Sequence, residues 1–234
     1  MARFDQNLQT IGAPSADVAP VSVCERLRKD ILAGQFVFGS RLKINELAAR
    51  YTTSHMPVRE ALRQLQGEGL VKVEPNCGAR VQGVDLAFLC DIFDLRIALE
   101  PMLARRAAER MNHASLQGIV RIEESLETCA AAADYAGMLA ANRAFHSAIN
   151  DLAGNHEAIR VLDRHWSIIV ALWGQHGYGP ERASGVIADH RQIIQALKER
   201  DADYAAIVAT AHAAKAKHEM LIRFRDAAQL TQAA

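Results

Sequence analysis

Residues 54–70 read Ser-His-Met-Pro-Val-Arg-Glu-Ala-Leu-Arg-Gln-Leu-Gln-Gly-Glu-Gly-Leu. Apolar residues recur here at the i, i+3, i+4 and i+7 spacing of a helix with one buried face, namely Val58, Ala61, Leu62 and Leu65. Ser54 is predicted to cap this helix with its hydroxyl. Pro57 is tolerated in the first turn, because N–H groups there have no partner within a helix. Gly67 and Gly69 are predicted to end it.

The other side of this helix carries polar and charged residues. His55, Met56, Arg59 and Arg63 lie off the apolar stripe, and the two arginines, four residues apart, share a face. A helix that buries one side and presents two arginines near its start is typical of a helix that enters the DNA major groove. We expect Arg59 to contact a guanine edge and Arg63 to contact phosphate. The alternative is that both arginines form an ordinary solvated face.

The flanking sequence predicts a winged helix-turn-helix. A helix from about residue 23 is stopped by Gly34, and a short helix covers about Lys43 to Tyr51. After the helix of residues 54–67, the alternation of apolar and polar side chains in residues 70–74 predicts a strand. Residues 75–78 are predicted to form a turn, and residues 79–81 a second, antiparallel strand. Three helices followed by such a hairpin form the winged motif.

The remainder of the sequence contains only helical patterns. Asp85 is predicted to cap a long helix that runs to about Met111, with Leu86 on its apolar side and Pro101 kinking it. Five further helices are predicted at about 115–133, 135–153, 155–174, 182–199 and 201–228. The predicted fold is therefore mainly α, and its parts are a flexible arm (1–20), a winged helix-turn-helix domain (21–83) and an all-helical domain (85–230).

Composition narrows the class of protein. The 234 residues have a formal net charge of zero, but residues 1–84 hold 11 Lys and Arg against 8 Asp and Glu. A mildly basic head on a mildly acidic body fits a two-part regulator. The four cysteines show no CxxC spacing, which indicates free thiols in a reducing compartment. No run is apolar enough to span a bilayer, so we expect a soluble, cytoplasmic protein.

Two sets of residues resemble a known family. The run Pro57-Val-Arg-Glu-Ala-Leu62, with Leu65, Gly69-Leu-Val71 and Gly78, resembles the GntR family of bacterial transcription factors. In the helical part, Asp94-Leu-Arg-Ile-Ala-Leu-Glu-Pro101 and Asn142-Arg-Ala-Phe-His146 resemble signatures of the FCD ligand-binding domain of the FadR-type branch. The resemblance spans roughly residues 20–228.

The resemblance implies a homodimer that binds double-stranded operator DNA of near-palindromic sequence and responds to a small-molecule effector. By position, the family's DNA contacts fall on Asn45, His55, Arg59, Arg63, Asn76 and Gly78. Ser54 and Met56, at the start of the same helix, complete the predicted DNA-binding set. Gly78 is either an ordinary turn glycine or a position where the wing backbone approaches the minor groove.

The resemblance also implies a metal site. The sequence has nine histidines, and three of them match positions of the metal site in many FCD domains. His146 follows Asn142 by one helical turn, and His190 and His212 fall on two further predicted helices. Neutral imidazoles suit a divalent ion such as Zn²⁺ or Ni²⁺. The family often has Asp at the position of Asn142. The remaining histidines are interpreted as surface or core residues: His113, His156, His165, His176 and His218.

Arg96 is the candidate partner for an effector carboxylate. The alternative, that it pairs with Glu100 one turn along or with Asp94, is slightly favoured.

Two other functions are weaker hypotheses. A histidine-bound metal could serve a hydrolase, but no HExxH or Gly-x-Ser-x-Gly motif is present. A constitutive DNA-binding protein without effector would have no use for a buried histidine cluster. We therefore expect a metabolite-responsive regulator rather than an enzyme.

Overall fold

The computed structural model describes residues 21–74 and 78–233, with no account of the side chains of residues 228 and 230–233. The predicted arm (1–20) and Asn76 lie outside the described residues. The first part, which we call the head, contains α1 (Val23–Leu32), β1 (Arg41–Leu42), α2 (Ile44–Arg50), α3 (His55–Gly67), β2 (Val71–Glu74) and β3 (Gly78–Val81). The second part, which we call the body, contains α4 (Leu86–Arg110), α5 (His113–Ala131), α6 (Tyr135–Ala153), α7 (His156–His176), α8 (Pro180–Glu199) and α9 (Ala202–Ala233). The prediction of a mainly α protein, with a winged helix-turn-helix before a helical bundle, is confirmed.

The head forms as its sequence pattern predicts, with two differences. The apolar stripe of α3 is buried throughout. The backbone of Ser54 occupies the N-cap position, but its side chain makes no capping hydrogen bond, so that prediction was wrong. The third helical residue, which usually donates to the cap, is Pro57 and has no N–H. Strand β1 was not predicted; it pairs with β3 and gives an antiparallel sheet of order β1-β3-β2.

The body is a bundle in which α4 and α9 pack along each other and α5 packs on α6. Asp85 caps α4 as predicted, since its Oδ1 accepts from the backbone N–H of Phe88 at 2.7 Å. Leu86 was predicted on the apolar side but is exposed, because as the first residue of α4 it precedes the packed part of the helix. Pro101 lies inside α4. No helix in the described residues is long and apolar enough to cross a bilayer.

Head and body share one continuous hydrophobic core. Buried residues of α1 and α3 belong to the same cluster as buried residues of α4, α7 and α9. Helix α7 is the main point of contact for the head, because α1 packs against it and Gly69 lies against the backbone of Arg164. A Cβ atom at Gly69 would lie 2.7 Å from the Arg164 carbonyl oxygen. The position of the head is therefore tied to a helix of the body.

Substitution of Gly69 by alanine is expected to destabilise the protein. Gly69 has a φ of +75°, and the left-handed region costs an alanine roughly 1–2 kcal/mol, to which the collision with Arg164 adds. The control is Gly67→Ala at the end of α3, where an added Cβ meets nothing within 4 Å and stability should hold or rise slightly. Urea denaturation of both variants measures the difference. Equal stabilities for the two variants would contradict this description of the contact.

Candidate metal centre and nucleic-acid interface

The outer face of α3 presents the residues that the sequence predicts for DNA contact. His55, Met56, Arg59 and Arg63 are all exposed, and Met56 is 70% exposed despite its apolar side chain. Arg63 pairs with Glu60 at 3.2 Å on the surface. No hydrogen bond or ion pair with another described residue engages Arg59, so its guanidinium is available to a ligand.

The predicted contacts outside α3 lie on the same part of the head. Asn45 is exposed on α2, and Ser54 is exposed at the start of α3. Gly78 begins β3 with a φ of +87°, where an added Cβ would lie 3.9 Å from the guanidinium of Arg41. The wing therefore requires a conformation that glycine adopts without strain. The contact of these residues with DNA stays a prediction.

The sheet carries a row of basic residues that sequence reasoning missed. Arg80 on β3 is paired in register with Arg41 on β1 and with Lys72 on β2, and all three are exposed. Residues paired across neighbouring strands point to the same face of a sheet. Alternation along β3 placed Arg80 outward, but the unpredicted strand β1 was needed to bring Arg41 beside it. We call Arg41, Lys72 and Arg80 the basic row of the wing.

Three buried imidazoles converge inside the body. His146 on α6, His190 on α8 and His212 on α9 offer ligand nitrogens that all lie within 4.8 Å of one another. Their exposed fractions are 8%, 0% and 2%. A single Zn²⁺ ion with metal–nitrogen bonds of about 2.0–2.1 Å requires slightly shorter separations, so the rings would have to close a little around it. We call these three residues the histidine cluster.

Two carboxylates orient the rings of the histidine cluster. Nδ1 of His190 lies 2.7 Å from Oε2 of Glu123, and Nδ1 of His212 lies 3.3 Å from Oδ2 of Asp189. A ring whose Nδ1–H donates to a carboxylate keeps its lone pair on Nε2, which is the arrangement of metal-binding histidines. The ring of Phe145 stacks on His190 at 3.8 Å between centroids. Neither Glu123 nor Asp189 was predicted, because only the packing of helices shows which carboxylate faces which ring.

Polar atoms without partners make the cluster a candidate binding site. The Nε2 atoms of His146 and His190, and Oδ1 of Asn142, are buried and make no hydrogen bond with any described residue. Such orphaned buried acceptors are costly unless something binds them. Asn142 also lines a small cavity with His212. Three imidazoles and an amide oxygen are neutral donors that suit a divalent transition metal, so the residues present fit such an ion.

Burial keeps His146 and His212 of the cluster in the neutral form that binds metals. Burial, aided by the nearby histidines and arginines, holds the pKa of His146 well below its ordinary value. For His212, burial outweighs the hydrogen bond to Asp189 and lowers the pKa to about 3. Burial disfavours the ionised form of Asp189, but hydrogen bonds from His212 and Lys215 outweigh it and lower the pKa to about 2. A carboxylate held ionised next to a neutral imidazole stabilises a cation bound to that ring.

The metal-free protein is expected to lose stability as the pH falls below about 6.5. The unfolded chain then protonates histidines that the folded chain keeps neutral, His146 and His212 among them. Each such ring contributes a loss of about 1.4 kcal/mol per pH unit. Urea denaturation in EDTA at pH 7, 6 and 5 measures the slope, with His218→Gln, an exposed residue of α9, as control. A free energy of unfolding that stays constant across this range would contradict the neutral state of buried His146 and His212.

Arg96 forms the ion pair with Glu100 that the sequence favoured over contact with an effector. It is buried and its Nε donates to Oε1 of Glu100 at 2.6 Å, whereas Asp94 pairs with Lys217. Its guanidinium also lies over the ring of Trp166, 4.9 Å from the centroid. Arg96 nevertheless lines the small cavity, which we call the chamber, with Asn142, Trp166, Tyr178, Arg182 and His212. Its contact with an effector stays a prediction.

The other five histidines of the body lie away from the cluster. His113, His156 and His218 are exposed, and His165 and His176 are half-buried. His218 is the nearest competitor of His212 in sequence, yet only His212 turns into the bundle. The two tryptophan side chains of α7, Trp166 and Trp173, are buried and line the chamber.

A winged helix-turn-helix joined to a helical body is the architecture of a class of transcription regulators. The comparisons with known families agree. Residues 21–81 match the bacterial regulatory proteins of the gntR family, and residues 91–215 match the FCD domain. The chain belongs to the GntR family of transcription regulators and carries an FCD domain. The predictions of family and of a regulator rather than an enzyme are confirmed.

Individual relatives are regulators as well. The chain is 24% identical to the HTH-type transcriptional regulator YdhC of Bacillus subtilis, over 80% of this chain and 84% of that protein. It is 33% identical to the HTH-type transcriptional repressor GlaR of Escherichia coli, over 59% of this chain and 64% of that protein. The structure of Escherichia coli McbR/YncC is similar in fold, with a TM-score of 0.70 and 22% identity over 87% of this chain and 96% of that one.

Proposed function

We propose that this regulator binds operator DNA as a homodimer and that a small organic acid, bound at a metal in the body, controls its affinity for the operator. The observation that carries the proposal is the convergence of three buried imidazoles, two with unpaired Nε2 atoms, in a chain that begins with a winged helix-turn-helix. A regulator of transcription acts where the chromosome lies, so we place the protein in the cytoplasm.

In the proposed complex, residues 21–83 form the DNA-binding unit. Helix α3 enters the major groove, where Arg59 donates two hydrogen bonds to one guanine and Arg63 exchanges Glu60 for a phosphate. Asn45, Ser54, His55, Met56 and the wing tip at Asn76 and Gly78 complete the contacts. The basic row of the wing supplies further phosphate contacts, since Lys and Arg that neutralise phosphates release counterions.

Residues 85–230 form the proposed regulatory and dimerisation unit. Asn142, His146, His190 and His212 would hold one divalent ion, Zn²⁺ or Ni²⁺ being favoured by the nitrogen-rich ligands. Such an ion supplies a Lewis-acidic position for a carboxylate oxygen. The residues around it exclude water and fix the rings, through Glu123, Asp189 and the stacked Phe145.

Helix α7 supports a direct route from the chamber to the head. Trp166 and Trp173 on one side of α7 line the chamber, while Arg164 on the same helix touches Gly69 beside α3. An effector that favours one packing of α7 therefore changes the support of the head, and with it the spacing of two heads in a dimer. Two recognition helices must lie about one helical turn of DNA apart to use both half-sites.

Selection of bound duplexes from a random DNA pool by the full chain, followed by sequencing, tests the DNA-binding half of the proposal. We expect a near-palindromic site with two half-sites recovered at a fixed spacing, and sedimentation of the complex at the mass of two chains per duplex. Recovery of unrelated sequences, or of one chain per duplex, would contradict the homodimer on an operator.

A further inference from the structure

Two buried polar groups of the chamber have no assigned role. Nε of Arg182 and the hydroxyl of Tyr178 are buried and have no hydrogen-bond partner among the described residues. Arg182 is 6% exposed and Tyr178 is equally buried. Both line the chamber with Asn142 and His212. Arg182 Nε and the Tyr178 hydroxyl are two donors in one cavity that an anionic group could satisfy together.

The immediate surroundings leave Arg182 able to bind that anion. Its Nη1 donates to Oε1 of Glu219 at 3.2 Å, and its guanidinium lies over Trp173, 4.8 Å from the ring centroid. Nε is not used by either contact. The Glu219 side chain is 36% exposed, so water weakens its hold on the guanidinium. Burial raises the pKa of Tyr178 to about 12, against the opposing effect of Arg182, so the phenol stays protonated and donates.

The carboxylates around the histidine cluster all have partners of their own. One amide and three imidazoles add no negative charge, so Glu123 and Asp189 behind the rings and an incoming ligand would offset the charge of a bound divalent ion. The nearby carboxylates are already engaged: Glu123 with His190, Asp189 with His212 and Lys215, and Glu100 with Arg96. A monocarboxylate bound at the metal would leave Arg182 Nε and the Tyr178 hydroxyl without an acceptor.

Arg182 also borders a second cavity. Besides the chamber it lines an outer pocket of about 350 Å³ together with Glu181, Glu219, Ile222, Arg223 and Asp226. The acidic residues at its mouth do not attract an anion, so the specificity for one has to come from Arg182 itself.

We propose that Arg182 and Tyr178 bind a second carboxylate of the effector, which is therefore a dicarboxylate with its other end at the metal. This inference rests on the proposed function. In it, Arg182 forms a two-point contact with the distal carboxylate through Nε and one Nη, and the Tyr178 hydroxyl donates to the same group. Arg182 and Tyr178 are then the residues that distinguish diacids from monoacids.

Isothermal titration of the Zn²⁺-loaded full chain with matched acids tests the proposal. Malate is lactate plus one carboxylate, and 2-hydroxyglutarate is 2-hydroxybutyrate plus one carboxylate, so each pair shares the metal-binding group. We expect at least one diacid to bind about tenfold or more tightly than its monoacid partner, since charged hydrogen bonds are among the strongest. A comparison of 3-phosphoglycerate with glycerate identifies the end group; a preference confined to the phosphate would overturn the assignment to a carboxylate.

The variant Arg182→Gln is expected to remove the preference for the diacid while the protein keeps its Zn²⁺, measured by mass spectrometry of the metal. Tyr178→Phe should reduce the preference for the diacid partially. The control is Arg191→Gln on the same helix. Arg191 is exposed and paired with Glu127, so its substitution should leave the preference for the diacid unchanged. If Arg182→Gln does not fold, Arg182→Lys keeps the charge but loses the two-point contact and should lower the preference.

The outcomes separate this inference from the proposed function. Diacids that bind no better than monoacids, with both dependent on Zn²⁺, would overturn the role of Arg182 and leave the metal site standing. A preference for diacids that survives in Arg182→Gln would do the same. Absence of Zn²⁺ binding, or acid binding that is equal in EDTA, would overturn both. Failure of every acid to bind would overturn the carboxylate class.

Discussion

Replacement of His190 by alanine is expected to abolish stoichiometric binding of Zn²⁺. His190 is fully buried at the junction of α6, α8 and α9, with its Nδ1 held by Glu123 and its Nε2 unpaired. Even the loss of a group that only supports a metal ligand costs roughly 10–100-fold in metal affinity, so the loss of the ligand itself should cost more than about 100-fold. Dialysis against buffered Zn²⁺, followed by elemental analysis, measures the metal content.

Two variants make this result specific. His218→Ala removes an exposed imidazole from α9 and should retain one Zn²⁺ per chain. Glu123→Gln keeps His190 but removes the charge behind its ring. It should lower the affinity for Zn²⁺ by about 10–100-fold without abolishing binding. If His190→Ala keeps stoichiometric Zn²⁺ while folding normally, the assignment of the histidine cluster is wrong.

Substitution of Arg59 by alanine is expected to remove most of the preference for the operator over random DNA. Arg59 is exposed near the start of α3 and is not engaged by any other described residue. A two-point contact of arginine with guanine contributes about 1–3 kcal/mol of discrimination against other bases, and a dimer places one such contact in each half-site. Fluorescence anisotropy with the selected duplex and with a scrambled duplex measures the ratio of affinities.

Arg63→Ala is the matched comparison, because the two arginines share one face of the same helix. A phosphate contact carries no sequence information, so its loss should weaken both duplexes about equally and lower the slope of log K against log salt by about 0.9 for each contact. Arg59→Ala with an unchanged ratio, or Arg63→Ala with a selective loss on the operator, would reverse the assigned roles.

Local patterns predicted the helices and their faces well. The periodicity of Val58, Ala61, Leu62 and Leu65 predicted the buried side of α3, because a single helix fixes which residues share a face. The capping-box spacing of Ser22 and Glu25 is a second local pattern, and both hydrogen bonds of the box are present at the start of α1. Each of these features depends only on residues within one or two turns of each other.

Features that depend on distant residues escaped prediction. Two-residue β1 has no pattern of its own and exists only through its pairing with β3. Glu123 and His190 are 67 residues apart, and nothing in the spacing of residues shows that α5 faces α8. Arg182 lies in a segment rich in charged residues that reads as a solvated face, yet its side chain is buried. The resemblance to a family supplied the histidines; the tertiary structure was needed for the groups that surround them.

The affinity of the full-length protein for its selected operator, measured by fluorescence anisotropy with Zn²⁺ and increasing amounts of the tightest-binding acid of the matched set, tests the control of DNA binding most directly. Coupling between two sites is typically about 1–3 kcal/mol. We therefore expect the acid to change operator affinity at least about fivefold, and EDTA or His190→Ala to remove the effect. An acid that binds at the metal yet leaves operator affinity unchanged would contradict the account.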